Sequence, residues 1–240
     1  MFLIFNPWPM SHGTPHMDIP SIPLLTTRKF KIYNKCTYTV WAGILGPDAP
    51  ADGGFRLKSE ETRSFPVSDS WKVGKIWART ECDALMNCAT GWCKNSEQCN
   101  GSGYIAPVTL AQFSLREPDG LDYYAVSLLE GFNVPILIDP IGGEGDCRRA
   151  GGCEKDLNAQ CPQELVVTNE NRTVACKSGC LFYNNDRECC RGEFGSAEKC
   201  PPTSAARVFK DACPGAYSYA LDGVDATYTC RDAHYVVQFC

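Results

Sequence analysis

Sixteen cysteines among 240 residues constrain this chain more than any other feature. An even number of cysteines at close spacing is typical of a disulfide framework, which persists only in an oxidising compartment. Metal binding is the rival interpretation, but no C-x-x-C pair occurs, and the only histidines are His12, His16 and His234. Zinc-finger and zinc-ribbon spacings are therefore absent. The sequence predicts disulfides, with no metal site and no cofactor.

The cysteines also divide the chain into regions. Residues 80–106 contain four cysteines and few strand-forming residues, which predicts a small disulfide loop lobe. Residues 154–213 are rich in cysteines and contain short helical patterns at residues 177–186 and 204–212. We expect this second, disulfide-rich lobe to depend on its bridges, because it has too few apolar residues for a core of its own. Adjacent Cys189 and Cys190 should bond to different partners, since a bond between neighbours is strained.

The remaining residues have the pattern of short β-strands. Alternating, β-branched and aromatic residues predict strands at residues 29–33, 37–42, 55–57, 62–67, 75–79, 121–129, 134–138, 227–230 and 235–239. Residues 29–79, 107–153 and 214–240 are therefore expected to form the β-sandwich core of an all-β fold. Residues 109–115 are ambiguous, because their first four residues match a helix capping box while the whole stretch alternates like a strand.

The N-terminal segment fits neither a signal peptide nor a domain. A secretory signal needs an apolar run of about 7–15 residues after a basic start. Residues 1–5 are apolar, but Asn6, Pro7 and Pro9 interrupt the run at once. We expect residues 1–28 to be a disordered leader outside the fold. Extracellular secretion is thus inferred from the cysteines, without a recognisable signal peptide.

The net charge and the hydropathy of the chain limit the classes of binding partner that we expect. The net charge of −5 argues against a nucleic-acid or anionic-membrane partner, which would require a basic face. No apolar stretch of 18 residues is present, so no membrane span is expected. Motifs of serine hydrolases, metalloproteases and nucleotide-binding proteins are absent. We expect a monomer whose partner is a polysaccharide or another protein.

Short motifs spread along the chain carry a family resemblance. They are Cys36-Thr37-Tyr38-Thr39-Val40-Trp41-Ala42, Gly74-Lys75-Ile76-Trp77-Ala78-Arg79-Thr80, Cys88-Ala89-Thr90-Gly91-Trp92-Cys93, Thr109-Leu110-Ala111, Leu121-Asp122-Tyr123, Gly131-Phe132-Asn133-Val134-Pro135, Gln160-Cys161-Pro162, Cys189-Cys190 and Ala216-Tyr217-Ser218-Tyr219. Together with the sixteen cysteines they resemble the thaumatin family, which includes thaumatin and the pathogenesis-related plant proteins. The third motif has Trp92 where the family usually has an aspartate.

The resemblance implies a fold and a disulfide pairing. The fold is a flattened β-sandwich of about ten or eleven strands with two disulfide-rich appendages, in which residues 109–115 form a strand. The implied disulfides are Cys36–Cys240, Cys82–Cys88, Cys93–Cys99, Cys147–Cys230, Cys153–Cys213, Cys161–Cys176, Cys180–Cys189 and Cys190–Cys200.

The resemblance also implies a ligand-binding cleft with altered chemistry. Many family members have an acidic cleft that is linked to β-1,3-glucan binding, weak glucanase activity and antifungal action. Its usual arginine, glutamate and three aspartates correspond here to Lys75, Gln112, Ala125, Glu130 and Asp222, and only the last is unchanged. Glycoside hydrolysis needs two carboxyl groups across the scissile bond. Glu130 and Asp222 are weak catalytic candidates, and they are equally well interpreted as solvated surface acids.

Other residues have competing interpretations. Trp92 could stack on a sugar ring, but we expect it to cover the small lobe, which has no core of its own. Arg79 is expected to be a structural hydrogen-bonding arginine. Asn100 and Asn171 begin N-glycosylation sequons. His234 is expected to be an ordinary residue at the last strand.

Three functions remain open from the sequence. The first is a secreted, antifungal defence-type protein that binds microbial cell-wall polysaccharide such as β-1,3-glucan, with little or no hydrolysis. The second is a protein-binding scaffold that inhibits an enzyme. The third is a residual β-1,3-glucanase. The lost carboxylates make a non-enzyme the favoured expectation.

Overall fold

A computed structural model describes residues 27–222 and 226–240. The leader expected over residues 1–28 lies outside the described residues except for its last two. Those two belong to the fold, because the first strand begins at Thr27, and Arg28 is buried. The core therefore begins two residues earlier than the expected boundary at residue 29.

The described residues form mainly short strands with three short helices. The strands are β1 (Thr27–Asn34), β2 (Val40–Leu45), β3 (Gly54–Leu57), β4 (Thr62–Ser68), β5 (Gly74–Cys82), β6 (Cys88–Thr90), β7 (Leu110–Ser114), β8 (Asp122–Ser127), β9 (Ile136–Ile141), β10 (Ala150–Gly151), β11 (Val166–Asn169), β12 (Arg172–Cys176), β13 (Tyr228–Cys230) and β14 (His234–Phe239). The helices are α1 (Leu157–Gln160), α2 (Gly179–Tyr183) and α3 (Ser204–Ala212).

Two sheets face each other across the core. One has five strands in the order β10-β9-β14-β1-β4, and the other has seven, in the order β13-β8-β7-β5-β2-β3 with β6 beside β5. β1 runs parallel to β14, the last strand. β11 and β12 form a separate hairpin in the disulfide-rich lobe. The all-β sandwich is confirmed. The strand count of fourteen among the described residues exceeds the expected ten or eleven through strands of two or three residues, such as β6, β10 and β13.

The core between the sheets is rich in aromatic side chains. Along β1, exposed and buried residues alternate, so Phe30 and Ile32 enter the core. The ring of Phe30 lies 4.9 Å from that of Phe113 on the opposite sheet, and Phe113 lies 5.2 Å from Tyr235 on β14. Edge-to-face contacts of this kind stabilise a core beyond the burial of apolar area. These contacts pack the seven-stranded sheet against β1 and β14 of the other sheet.

Tertiary pairing resolves the ambiguous segment. Leu110–Ser114 is strand β7, because it pairs with β5 on one side and β8 on the other. The helical pattern at residues 204–212 is confirmed as α3, whereas the pattern at 177–186 yields only Gly179–Tyr183. Asn184 ends that helix with a left-handed φ of 46°. The strand expected at residues 37–42 is shifted, since β2 begins at Val40.

All sixteen cysteines are paired, in the combinations that the resemblance implies. The disulfides are Cys36–Cys240, Cys82–Cys88, Cys93–Cys99, Cys147–Cys230, Cys153–Cys213, Cys161–Cys176, Cys180–Cys189 and Cys190–Cys200. Within the described part of the chain, no helix has the length and apolar character needed to cross a membrane.

Candidate functional site

Three of the predicted site residues lie in one row across the seven-stranded sheet. Lys75 on β5 pairs with Gln112 on β7, and Gln112 pairs with Ala125 on β8. Opposing residues on neighbouring strands point to the same face. Their neighbours Ile76 and Ala111 are fully buried on the other face, so the row faces away from the core.

This row lines a cavity of about 460 Å³. Glu130, which follows β8, lines the same cavity and also a second one of about 500 Å³ that extends towards α2 and α3. The two cavities share Leu129, Glu130 and Ala220 and are together called the cleft. The structure therefore brings four of the five predicted residues to the cleft.

Asp222, the fifth predicted residue, does not line either cavity. Its Oδ2 accepts hydrogen bonds from the backbone nitrogen of Ser218 at 2.8 Å and from the Ser218 hydroxyl at 2.9 Å. Lys210 Nζ lies 3.1 Å from the same oxygen. These bonds hold the carboxylate against its own loop and α3. Asp222 is therefore bonded to Ser218 and Lys210, outside the linings of the two described cavities.

Tyrosines form much of the first cavity, and sequence reasoning had not marked them as site residues. Tyr104, Tyr123, Tyr124 and Tyr217 line it. The Tyr123 hydroxyl donates to Asp119 Oδ2 at 2.7 Å, which fixes the ring and lowers the pKa of Asp119. The signal available in the sequence was the alternation of β8, which places Tyr123 and Ala125 on the cleft face. Tyr124 is buried, and its ring packs in the core against Tyr235.

Tyr104 connects the row to Glu130. Its hydroxyl lies 3.4 Å from Lys75 Nζ, and the same ammonium nitrogen is 5.5 Å from the ring centroid. Burial raises the pKa of Tyr104 to about 12, and the negative charge of Glu130 adds to the effect. Tyr104 is therefore a neutral phenol at physiological pH and can donate a hydrogen bond to a sugar hydroxyl.

One further acid in the cleft was not predicted. Glu188 lines the second cavity, and its Oε2 accepts a hydrogen bond from the Thr203 hydroxyl at 2.8 Å. Glu130 is the one acidic residue on the described wall of the first cavity, beside the sheet. The cleft thus presents an amide, a methyl group, an ammonium, phenols and the single carboxylate of Glu130 next to the sheet, with Glu188 on the side of the disulfide-rich lobe.

Arg79 has the structural role that the sequence suggests. It is fully buried, and it donates to the carbonyl oxygens of Ser96 at 2.8 Å and of Glu97. Trp92 lines neither cavity of the cleft, and its Nε1 is buried within the small lobe. Its position fits a side chain that covers the lobe. Asn100 and Asn171, the first residues of the two sequons, are both exposed.

Comparison with known proteins places the chain in a family. The profile described as the thaumatin family matches residues 34–240. The chain belongs to the thaumatin family. Pathogenesis-related protein 5 of Arabidopsis thaliana is 48% identical over 217 residues, covering 88% of this chain and 89% of that protein. A protein named glucan endo-1,3-beta-glucosidase from Prunus avium is 39% identical over 217 residues, covering 86% of this chain and 88% of that protein.

A solved structure shares the architecture of this thaumatin-family chain. It is the GH family 64 laminaripentaose-producing beta-1,3-glucanase from Paenibacillus barengoltzii, with a TM-score of 0.56 and 14% sequence identity. The match covers 92% of this chain and 78% of that one. At this identity the likeness shows a common fold.

Proposed function

We propose that this protein is a secreted defence protein that binds microbial β-1,3-glucan in the cleft, with little or no hydrolysis. Eight disulfides favour an oxidising, extracellular location. The pathogenesis-related names of relatives support a defence role, and the glucosidase name of the Prunus avium relative supports a β-1,3-glucan ligand.

The observation that carries the proposal is the lining of the first cavity. Tyr104, Tyr123 and Tyr217 supply aromatic faces, against which the C–H faces of a sugar ring can pack. Lys75 and Gln112 supply hydrogen-bond donors, and the Gln112 amide also accepts. Such a surface suits a neutral polysaccharide.

Weak or absent hydrolysis follows from the same lining. Gln112 and Ala125 stand where the family usually has carboxylates, and neither can act as a general acid or a nucleophile. Asp222 is bound to Lys210 and Ser218. The row of Lys75, Gln112 and Ala125 contains no carboxylate that could act together with Glu130.

The test pairs binding with turnover. The protein is incubated with insoluble β-1,3-glucan, and both the bound fraction and the release of reducing sugar are measured. We expect binding without release, and Tyr123→Ala should reduce the bound fraction. Leu85→Ala, which removes an exposed apolar side chain in the small lobe, is the control and should leave binding unchanged.

The other outcomes would contradict the proposal in different ways. Sugar release that disappears in Glu130→Gln, Glu188→Gln or Asp222→Asn would show a residual glucanase. Neither binding nor release would favour the protein-binding inhibitor, and an inhibition assay against microbial glycosidases would follow.

Restoring the family's carboxylates tests the chemistry directly. Gln112→Glu with Ala125→Asp places two acids on directly paired positions of β7 and β8, whose Cβ atoms are about 5 Å apart. We expect this double variant to raise any glucan hydrolysis and to make the cleft more negative. Ala125→Asn, with Gln112 unchanged, has the same shape without the charges and is the matched control. Equal turnover in both variants would contradict the assignment of the lost acids.

A further inference from the structure

A second groove lies between the start of β2, the end of β5 and the β11–β12 hairpin. It encloses about 480 Å³, a size typical of small-molecule sites. Among the described residues it shares no lining side chain with the cleft. We call it the hairpin groove. The lining residues that carry the argument are Tyr38, Trp41, Glu81, Asn133, Asn158 and Arg172.

Two aromatic side chains form one wall of the hairpin groove. Tyr38, just before β2, is 46% exposed, and Trp41 within β2 is half-buried. The flanking residues Val40 and Ala42 are fully buried, so Trp41 points away from the core. The Arg56 guanidinium lies 5.8 Å from the Trp41 ring centroid and packs against the indole. Rings held at a surface in this way offer an apolar platform to a sugar ring.

The opposite wall is polar, fixed and neutral overall. Arg172 Nη2 lies 2.9 Å from Glu81 Oε1, and Asn169 Nδ2 donates to Glu81 Oε2 at 2.7 Å. Glu81 and Arg172 are the charged residues among the groove's described lining, and they neutralise each other. A planar carboxylate and a guanidinium side by side can bond to neighbouring hydroxyls. Because the lining of the groove has no net charge, it does not attract a polyanion more strongly than a neutral ligand.

The floor of the hairpin groove is already organised. Asn133 is buried, and its Nδ2 donates to the Ala78 carbonyl at 2.8 Å and to Thr90 Oγ1 at 2.9 Å. The backbone carbonyl oxygen of Asn133 accepts a hydrogen bond from Asn158 Nδ2 at 3.0 Å. Because the protein itself supplies all the partners of these bonds, binding needs little ordering of the floor, which favours affinity.

We propose that the hairpin groove is a second carbohydrate site, which binds a neutral oligosaccharide. The sugar stacks on Tyr38 and Trp41 and hydrogen-bonds to Glu81 and Arg172. Aromatic platforms, paired planar polar groups and a neutral lining together fit a sugar better than a charged ligand. This assignment is independent of what the cleft binds.

The test is a binding titration of the full, disulfide-bonded protein. The probes are neutral tetrasaccharides of β-1,3-linked glucose, β-1,4-linked glucose, mannose and N-acetylglucosamine, followed by calorimetry and saturation-transfer NMR. We expect at least one to bind, with affinity about tenfold weaker in Tyr38→Ala, because the stacking surface is lost. Tyr38→Phe keeps the ring and should bind nearly as the natural protein does. Glu81→Gln breaks the ion pair and should also weaken binding.

Two control variants separate this site from the others. Tyr183→Ala removes a tyrosine of nearly equal exposure, 45%, that does not line the groove, and it should change nothing. Tyr123→Ala alters the cleft. If Tyr123→Ala abolishes tetrasaccharide binding while Tyr38→Ala does not, the sugar occupies the cleft and the proposal is overturned. If the cleft does not bind glucan, the comparison of Tyr38→Ala with the natural protein still tests the hairpin groove by itself.

Because Asn171 begins a glycosylation sequon, the binding titration needs one further variant. Asn171 is exposed in the two-residue turn of the hairpin, next to Arg172, so an attached glycan would stand beside the groove. The titration is therefore repeated with Asn171→Asp, since aspartate tolerates the left-handed φ of 61° at this position. Equal or stronger binding in this variant supports the proposal. Absence of Tyr38-dependent binding of every neutral tetrasaccharide in both proteins, or binding of a sulfated tetrasaccharide instead, overturns it.

Discussion

Arg79 joins the small lobe to the sandwich through a single side chain. Nη1 donates to the Ser96 carbonyl at 2.8 Å, and Nη2 lies 3.5 Å from the carbonyl oxygen of Ala42 on β2. Burial lowers the pKa of Arg79 to about 10, which still leaves the group charged at neutral pH. A lysine has one ammonium and cannot reach both segments with the same geometry.

We therefore predict that Arg79→Lys lowers the free energy of unfolding by about 2 kcal/mol, the range for losing hydrogen bonds from a buried charged group. Chemical denaturation with the disulfides intact measures this loss. Arg207→Lys, at an exposed position on α3, is the matched control. A loss of the same size in both variants would contradict the role of Arg79.

The pKa of Tyr104 gives a second prediction at the scale of one residue. Burial, and then the charge of Glu130, raises this pKa to about 12. Because the value in the unfolded chain is about 10, the stability contributed by protonated Tyr104 is complete below about pH 10 and is lost as the pH rises towards 12. Glu130→Gln should lower the pKa of Tyr104 while leaving it above 10, since burial remains.

Titration of phenolate absorbance measures this change, with Tyr104→Phe identifying the signal. The control is Glu164→Gln, which removes the acid beside Tyr183. An unchanged Tyr104 titration in Glu130→Gln would mean that Glu130 does not act on Tyr104.

At the scale of elements, α3 depends on its N-cap. Thr203 accepts a hydrogen bond from the backbone nitrogen of Ala206 at 3.2 Å and donates to Glu188 in the cleft. We predict that Thr203→Ala destabilises the protein by about 1 kcal/mol, as is usual for a lost N-cap. Thr203→Ser retains the hydroxyl and should be close to neutral. Thermal unfolding of both variants checks this, and equal losses would assign the effect to the lost methyl group instead.

The disulfide-rich lobe and the sandwich should also differ in their response to reduction. The lobe's helices are short, and it supplies few side chains, such as Leu157, Leu165 and Phe209, to the main core. The sandwich has paired strands and a continuous aromatic core. We predict that mild reductant opens residues 147–213 before β1 and β14. Hydrogen exchange measures the order, and earlier exchange in the sandwich would show that this order is wrong.

At the scale of the whole molecule, Arg28 links β1 to β8 and to the segment that precedes β14. Its Nη2 lies 2.6 Å from Asp232, and its Nε lies 3.8 Å from Asp122, which is fully buried. Asp122 also accepts a hydrogen bond from Tyr235 on the last strand. Removing Arg28 would leave a buried carboxylate without its cationic partner, which is strongly destabilising.

Two truncations test this link. We predict that a chain starting at Thr27 is as stable as the full chain, whereas a chain starting at Lys29 loses about 3 kcal/mol. Arg28→Met in the full chain, which retains the apolar part of the side chain, should show a loss similar to the second truncation. Equal melting temperatures for both truncated chains would contradict the role of Arg28.

The strands show which parts of the fold a local sequence pattern can predict and which parts depend on tertiary contacts. Residues 29–33 alternate between polar and apolar side chains, and they lie in β1, where exposed and buried positions alternate in the same way. Alternation is a local property with a period of two, so a single sequence contains it. Residues 109–115 satisfied both a helix cap and a strand pattern, and only pairing with β5 and β8 decided between them.

By itself, the sequence determined the class of this protein, a disulfide framework of sixteen cysteines with an all-β core, and the family resemblance implied a cleft short of carboxylates. Residue identity carries that information, because it fixes which groups can ionise, cross-link or alternate. Only the tertiary structure decided which of those groups meet. Strand register put Lys75, Gln112 and Ala125 in one row, a loop turned Asp222 towards Lys210, and folding brought Tyr104, Glu188 and Tyr38 to cavity walls. Such placements depend on contacts between residues far apart in the chain, which no local pattern encodes.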